Sequence, residues 1–160
     1  MSKRTVDPRI IQFCERLAQL GAGERARLKR NAGRNMAESH NALGLFFRLM
    51  PPNVPPFQEE TYFLVATLFP LAASGGEGNL GDALYRVRNA KYDQGLDRRM
   101  EVLLDASREQ LPFRLRQALR FLESRRGTLN WPQLLEDLLA WDHPKRYVQE
   151  QWARAYFASQ

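Results

Sequence analysis

Apolar residues recur every three or four positions along most of this chain, which is the spacing that places them on one face of an α-helix. The first helix is expected to begin at Asp7 and Pro8, because a capping carboxylate followed by proline favours a helix start. Its apolar stripe has four members: Ile10, Phe13, Cys14 and Leu17. Residues 58–69 are apolar on most sides, which predicts a helix at the centre of an N-terminal bundle. No stretch alternates convincingly with a period of two, so we predict no strand.

Glycine and proline interrupt this pattern at several points. Gly21 and Gly23 separate the first helix from a basic second helix, and a third helix begins near Ser39. The prolines of residues 51–56 predict an extended connector, and residues 74–78 form a glycine-rich break. The helices predicted after that break span residues 80–90, 97–106, 111–126, 132–141 and 144–157.

Length and composition are those of a folded protein. With 160 residues and 44% apolar content, the chain can bury a core of its own. We predict an all-α fold of two packed helical bundles with about eight helices, at residues 1–75 and 76–160. The most apolar run, residues 62–73, is shorter than the roughly 20 apolar residues that a bilayer requires. Because the N-terminal segment has no apolar signal core, we expect a cytoplasmic protein.

Positive charge is concentrated near the N-terminus. The net charge is +6, and residues 25–34 carry five cations and no acidic residue. On a helix, Arg27, Arg30 and Arg34 would share one face. Guanidinium groups bind phosphate oxygens in a bidentate fork, which favours a nucleic-acid backbone as the partner. A solvated charged face is the common alternative for such a run.

Arginines recur on the predicted C-terminal helices. Arg98 and Arg99 lie in one helix, and Arg116 and Arg120 border the apolar stripe of the next. The stems of Arg116 and Arg120 would rest on the protein while their charged ends point outward. Basic helices that converge would form a groove that binds the sugar-phosphate backbone without reading bases. The predicted nucleic-acid-binding residues are Arg27, Lys29, Arg30, Arg34, Arg98, Arg99, Arg116 and Arg120.

Few residues could support catalysis or bind a metal. The chain has two histidines, His40 and His143, neither in a metal-ligand spacing, and one cysteine, Cys14, on an apolar helix face. We expect the histidines at helix ends or on the surface and the cysteine in the core. The sequence therefore predicts no catalytic residue, no metal site and no cofactor.

A glycine pattern at residues 76–81 matches the GxGxxG string of dinucleotide-binding loops. That loop functions between a strand and a helix of a βαβ unit, whereas residues 69–73 are expected to end a helix here. We therefore predict an ordinary loop without a phosphate site.

Four C-terminal segments, taken in this order and spacing, resemble one known family. They are Leu80-Gly81-Asp82-Ala83-Leu84, Asp97-Arg98-Arg99-Met100, Leu119-Arg120-Phe121-Leu122 and Asn130-Trp131-Pro132-Gln133-Leu134-Leu135. The N-terminal region fits more loosely, through Arg27-Leu28-Lys29-Arg30 and Phe46-Phe47-Arg48-Leu49. The chain resembles the small subunit of the type I-E CRISPR Cascade surveillance complex, the CasB family.

This resemblance implies an all-helical, non-enzymatic subunit of two bundles that is present in two copies. Its partners would be the single-stranded DNA of the R-loop, the guide RNA–target duplex, and the backbone and large subunits of Cascade. The family's nucleic-acid contacts would fall on Arg30, Arg99 and Arg120, with Lys29 and Arg98 beside them.

Two further positions are interpreted through the resemblance. Trp131 would be a core anchor. Asp105 stands about two turns after Arg98 and Arg99, where a further arginine is expected, so the path of the nucleic acid would differ there.

The predicted function is therefore to hold the displaced non-target strand of an R-loop, whose formation is nearly balanced in free energy. A free-standing helical DNA-binding regulator is one alternative, but residues 111–126 offer only Gln117 and Ser124 to read bases. A scaffold whose arginines bind acidic protein surfaces is the other, and it would bind no nucleic acid.

Overall fold

A computed structural model describes residues 6–158, and this part of the chain is almost wholly helical. Its α-helices are α1 (Pro8–Ala18), α2 (Ala22–Arg30), α3 (His40–Leu49), α4 (Glu59–Leu68), α5 (Leu80–Val87), α6 (Gln94–Leu104), α7 (Leu111–Ser124), α8 (Trp131–Leu139) and α9 (Tyr147–Phe157). Short 3-10 helices lie at Met36–Glu38, Pro56–Gln58 and Phe69–Leu71. The all-α prediction is confirmed, and the described residues form nine α-helices where about eight were expected.

A minimal parallel sheet was not predicted from the sequence. Strand β1 (Ala73–Ser74) pairs with β2 (Thr128–Leu129), so that Ala73 lies opposite Thr128 and Ser74 opposite Leu129. A strand of two residues contains only one alternation, so no repeating pattern could mark it.

The described residues form two compact units. The first contains residues 6–70 and 131–139, and the second contains residues 71–130 and 140–158. These units differ from the predicted bundles chiefly in α8, which packs against α1 and α4 in the first unit. The apolar stripe of α8 indicates that one side of the helix is buried, but it does not indicate which bundle the helix joins. The sequence analysis therefore assigned α8 to the same bundle as the helices next to it in the chain.

The first unit is built around α4, as the apolar sequence of that helix predicted. Residues 61–68 are all buried. Aromatic rings of α1, α3 and α4 meet one another edge to face, with centroids 5.0 to 6.2 Å apart. The pairs are Phe13 with Tyr62, Phe13 with Phe46, and Phe46 with Phe63. This geometry adds a favourable electrostatic interaction to the burial of apolar surface.

Other core positions of the first unit also match expectation. The Asp7 carboxylate accepts a hydrogen bond from the backbone N–H of Arg9 at 2.9 Å, which caps α1. Cys14 is buried, and burial raises the pKa of its thiol to about 12, so it stays protonated at neutral pH. Trp131 of α8 is buried against Phe69, with ring centroids 5.1 Å apart, which confirms its expected place in the core.

In the second unit, α5 packs closely against α9, and α6 packs against α7. Helix α5 begins with a reciprocal cap: the backbone N–H of Asn79 donates to the Asp82 carboxylate, and that of Asp82 donates to the Asn79 side chain, at 2.8 and 3.1 Å. Gly81 brings α5 close to the backbone carbonyl of Trp152 on α9. The leucines of α7 at positions 111, 115, 119 and 122 are buried. Among the described helices, none has the length and apolar composition to cross a membrane.

Candidate nucleic-acid interface

Helix α2 carries the predicted basic residues, but it is shorter than the predicted stripe. The helix ends at Arg30. Gly33 then adopts a φ of 78°, and its N–H donates to the hydroxyl of Thr67 on α4 at 3.3 Å. Because the chain leaves the helix before Arg34, that residue does not continue the face formed by Arg27 and Arg30. The predicted helical alignment of these three arginines is therefore wrong for Arg34.

Side chains of this segment nevertheless present positive charge to solvent. We refer to Arg27, Lys29, Arg30 and Arg34 as the α2 surface. Lys29, Arg30 and Arg34 are exposed and Arg27 is half-buried. Leu28 is buried and fixes the helix to the unit, so the charged side of α2 faces outward. The α2 surface is thus a set of cations on an anchored helix and its C-terminal turn.

Helices α6 and α7 carry the remaining predicted residues. We refer to Arg98, Arg99, Arg116 and Arg120 as the α6–α7 surface. Arg98, Arg99 and Arg120 are exposed. Arg116 is half-buried, and its Nε is enclosed without a hydrogen-bond partner among the described residues. The stem of Arg116 therefore rests on the protein as predicted, whereas Arg120 is exposed.

One member of this surface meets α7 directly. Arg99 lines a small recess of about 10 Å³ between α6 and α7, together with Arg114, Gln117 and Phe121. The Arg99 guanidinium lies over the Phe121 ring, 5.5 Å from its centroid. The structure thus places Arg99 and Arg114 around one recess, although Arg114 is not among the predicted binding residues. Charge alone could not distinguish Arg114 from its neighbours on α7.

Other arginines of the second unit are held by carboxylates within the fold. Arg88 forms two hydrogen bonds to Asp97, at 2.7 and 2.8 Å, and the Tyr156 hydroxyl donates to the same carboxylate at 2.5 Å. The Arg125 guanidinium likewise donates two hydrogen bonds to the Asp93 carboxylate, at 2.7 and 2.9 Å. The Arg125 guanidinium holds the pKa of Asp93 below its ordinary value, so this pair is charged at neutral pH.

The predicted residues differ from these two in their partners. Ion pairs within residues 6–158 involve none of Arg27, Arg30, Arg34, Arg98, Arg99, Arg116 and Arg120. Sequence spacing did not reveal the difference, because the pairs that hold Arg88 and Arg125 join positions 9 and 32 residues apart. Unpaired guanidinium groups at the surface can bind phosphate without first breaking an internal ion pair.

Asp105, where the resemblance led us to expect an arginine, is the exposed C-cap of α6. A carboxylate at this position would repel a phosphate. A strand bound by Arg98 and Arg99 would therefore lack the further contact that an arginine at position 105 would provide.

The histidines and acidic residues form no metal-binding group in the described part of the chain. Within residues 6–158, no three His, Cys, Asp or Glu side chains lie close enough to hold a metal ion. His40 and His143 are exposed, and His143 Nδ1 accepts a hydrogen bond from the backbone N–H of Lys145 at 3.1 Å. The structure therefore places both histidines near helix ends, as predicted.

Packing explains two glycines of residues 76–81, Gly76 and Gly81. A Cβ on Gly76 would lie 2.7 Å from the backbone nitrogen of Leu129, and one on Gly81 would overlap the Trp152 carbonyl. The N–H of Asn79 is already bound by the Asp82 carboxylate. This loop therefore does not offer the open glycine-rich cradle that a dinucleotide phosphate needs.

Comparison with known proteins agrees with the motifs of the C-terminal half. Residues 24–157 match the family model of CRISPR-associated protein Cse2. A CRISPR-associated protein Cse2 from Thermus thermophilus is 36% identical over 127 residues, which cover 72% of this chain and 72% of that protein. The crystal structure of M. ruber CasB has a TM-score of 0.77 at 30% identity, covering 97% of this chain and 95% of that one.

A chain from the structure of a CRISPR RNA-guided surveillance complex has the same fold. Its TM-score is 0.77 at 22% identity, over 94% of this chain and 92% of that one. The family model covers most of the sequence, and the helical architecture agrees with that of M. ruber CasB. The chain therefore belongs to the Cse2 family, also called CasB, which is the small-subunit family of type I-E Cascade that its motifs indicated.

Proposed function

We propose that this chain is a non-catalytic subunit of a CRISPR surveillance complex that binds nucleic acid by its phosphate backbone and holds the displaced strand of an R-loop. The observation that carries the proposal is a contrast among arginines of one unit. Arg88 and Arg125 are held by carboxylates. Arg98 and Arg120 face solvent with no ion-pair partner among the described residues.

The chemistry of these side chains favours the backbone over the bases. Guanidinium groups at exposed positions bind phosphate oxygens, and each phosphate contact releases condensed counterions. Sequence-specific reading in a groove uses side chains such as Asn and Gln placed to reach base edges. The α2 and α6–α7 surfaces consist of arginine and lysine, so binding is expected to depend steeply on salt and little on sequence.

Membership of the Cse2 family supports the proposal that this binding occurs within a CRISPR surveillance complex. A relative of the same fold occurs in a CRISPR RNA-guided surveillance complex. R-loop formation exchanges one duplex for another of similar stability, so a few phosphate contacts to the displaced strand shift the balance. The proposed partners are the displaced strand, the guide RNA–target duplex, the backbone and large subunits of Cascade, and a second copy of this chain.

The test is the affinity of the purified full chain for single-stranded DNA, duplex DNA and RNA, each in two unrelated sequences, over a salt series. The expected result is equal affinity for the two sequences and a linear fall of log K with log salt concentration. Arg98→Ala should reduce the salt slope. Arg154→Ala is the matched control, because it removes an exposed arginine that is already paired with Glu150 at 3.0 Å.

Each other result would overturn the proposal. Selective binding to one duplex sequence would favour a free-standing regulator. Absence of binding to all three nucleic acids would favour a scaffold that binds acidic protein surfaces. Equal loss of slope in both variants would mean that net charge, and not the α6–α7 surface, determines binding.

A further inference from the structure

Phe113 is an aromatic side chain that lies outside the core stripe of α7. Its side chain is 54% exposed, whereas the leucines on the opposite face of the helix are buried. It follows Pro112 in the first turn of the helix. A single exposed aromatic residue is common on protein surfaces and carries no conclusion by itself. Phe113 differs from such a residue in the side chains that surround it.

Those neighbours on α7 are unpaired cations. Arg116 and Arg120 follow Phe113 by three and seven positions, a spacing that places all three on neighbouring parts of one helix face. With a rise of 1.5 Å per residue, Arg116 lies about 4.5 Å and Arg120 about 10.5 Å further along the helix axis. Neither arginine forms an ion pair within the described residues. A nucleotide at Phe113 would therefore have its flanking phosphates within reach of both long side chains.

The ring itself already takes part in a cation–π contact. The Arg114 guanidinium lies over the Phe113 ring, 5.4 Å from its centroid. This contact covers one face of the ring and keeps a further positive charge beside it. The remaining exposed surface of the ring is available to a flat partner. Phe113 thus combines an accessible aromatic face with three nearby guanidinium groups.

We propose that Phe113 stacks on a nucleobase of a strand whose phosphates are bound by Arg116 and Arg120, so that the α7 part of the interface selects single-stranded nucleic acid. This inference rests on the proposed function and adds how the interface distinguishes a single strand from a duplex. In a duplex each base is stacked between its neighbours, whereas a single strand can present an open base face to an aromatic side chain. Phosphate contacts alone would not make this distinction.

The test compares two probes that differ only in their bases: an oligothymidylate of about 20 nucleotides and an abasic oligonucleotide of the same length and charge. The full chain should bind the oligothymidylate at least about 5-fold more tightly, since stacking on one base is worth up to about 150-fold in affinity. Phe113→Ala should remove this preference without changing the salt slope, because no cation is lost. Phe113→Trp should keep it.

A second exposed aromatic residue provides the matched control. Tyr92 is 71% exposed in the turn between α5 and α6, and the Lys91 ammonium lies over its ring at 5.5 Å from the centroid. It repeats the aromatic–cation pair of Phe113 but lies outside α7 and its arginines. Tyr92→Ala should therefore leave the preference for oligothymidylate intact.

The outcomes separate this inference from the function on which it rests. Equal binding of both probes, with a steep salt slope, would overturn base stacking and leave backbone binding in place. A preference that survives Phe113→Ala would overturn the role of Phe113. No binding of either probe at low salt would overturn both proposals.

Discussion

Trp131 illustrates how much of the fold depends on one buried side chain. It is 1% exposed, and its ring lies against that of Phe69. Truncation to alanine leaves a cavity that the surrounding helices can fill only in part. We expect Trp131→Ala to lower the free energy of unfolding by about 3 to 5 kcal/mol, measured by urea unfolding. A variant with the unfolding curve of the parent would show that the side chain is not buried in solution.

Asp93 is expected to make stability depend on pH. Arg125 donates two hydrogen bonds to its carboxylate and the backbone N–H of Asn89 donates another at 2.6 Å, which together lower its pKa below the ordinary 3.8. A carboxyl whose pKa is lower in the folded than in the unfolded state stabilises the fold above its unfolded pKa. This contribution is lost as the pH falls through the folded pKa. Asp93→Asn should therefore lower Tm at pH 7, by an amount that shrinks below about pH 4.

The measurement is thermal unfolding of both proteins from about pH 7 to pH 3, followed by circular dichroism. Asp142→Asn is the control, because the Asp142 carboxylate contacts Arg108 at 2.8 Å but is 64% exposed. An exposed pair of this kind contributes little to stability, so the control should change Tm little at any pH. A Tm difference for Asp93→Asn that stays constant down to pH 3 would contradict the assignment.

Gly81 determines how closely two helices of the second unit approach. A Cβ at this position would overlap the Trp152 backbone carbonyl of α9, and a backbone atom cannot move aside as the end of a side chain can. Gly81→Ala should therefore push α5 from α9 and lower the free energy of unfolding by about 1 to 3 kcal/mol. Gly95→Ala on α6 is the control, because nothing lies within 4 Å of the added atom.

Urea unfolding of the two variants would test this prediction. Gly95→Ala should be unchanged or more stable by up to about 1 kcal/mol, since alanine has the higher helix propensity. Similar stabilities for the two variants would mean that α5 and α9 can separate without cost.

The start of α1 was easier to predict than the end of α2 or the packing partners of α8. The start of α1 could be predicted because Asp7 and Pro8 carry the signal within the chain segment itself. The end of α2 could not, because it is set where Gly33 meets Thr67, a contact between positions 34 residues apart. The β1–β2 pair and the packing of α8 depend in the same way on distant segments.

In the candidate site, too, local features could be predicted and contacts between distant residues could not. Sequence spacing identified arginines near core stripes, and the exposure of Arg30, Arg99 and Arg120 agrees with that expectation. It could not identify which arginines are held by distant carboxylates. It also passed over Phe113, although the position of this aromatic residue outside the leucine stripe of α7 is a signal that the sequence contains.

At the scale of the whole molecule, each of the two units carries its own set of surface cations. The α2 surface belongs to the first unit and the α6–α7 surface to the second. If both bind phosphate, the salt dependence of binding should report contacts from both units. A chain that bound through one surface alone would lose slope only when that surface was changed.

The variants that test this carry Arg30→Ala alone, Arg99→Ala with Arg120→Ala, and all three changes together, each in the full chain. Each lost phosphate contact should reduce the slope of log K against log salt by about 0.7 to 1 for single-stranded DNA, whatever its sequence. Affinity at one salt concentration would not suffice, because any loss of positive charge weakens binding. The slope of log K against log salt, by contrast, is proportional to the number of phosphate contacts.

A control of equal charge separates the named surfaces from the net charge of +6. Replacing Lys91, Lys145 and Arg154 by alanine also removes three positive charges, at exposed positions outside both surfaces. If the arginines of α2, α6 and α7 contact phosphate, the first triple variant loses slope and the control keeps it. Equal losses of slope in the two triple variants would assign binding to the overall positive charge. Counterion release depends on the number of phosphates that a protein neutralises. An unchanged slope in the first triple variant would therefore mean that none of its three arginines contacts the nucleic acid.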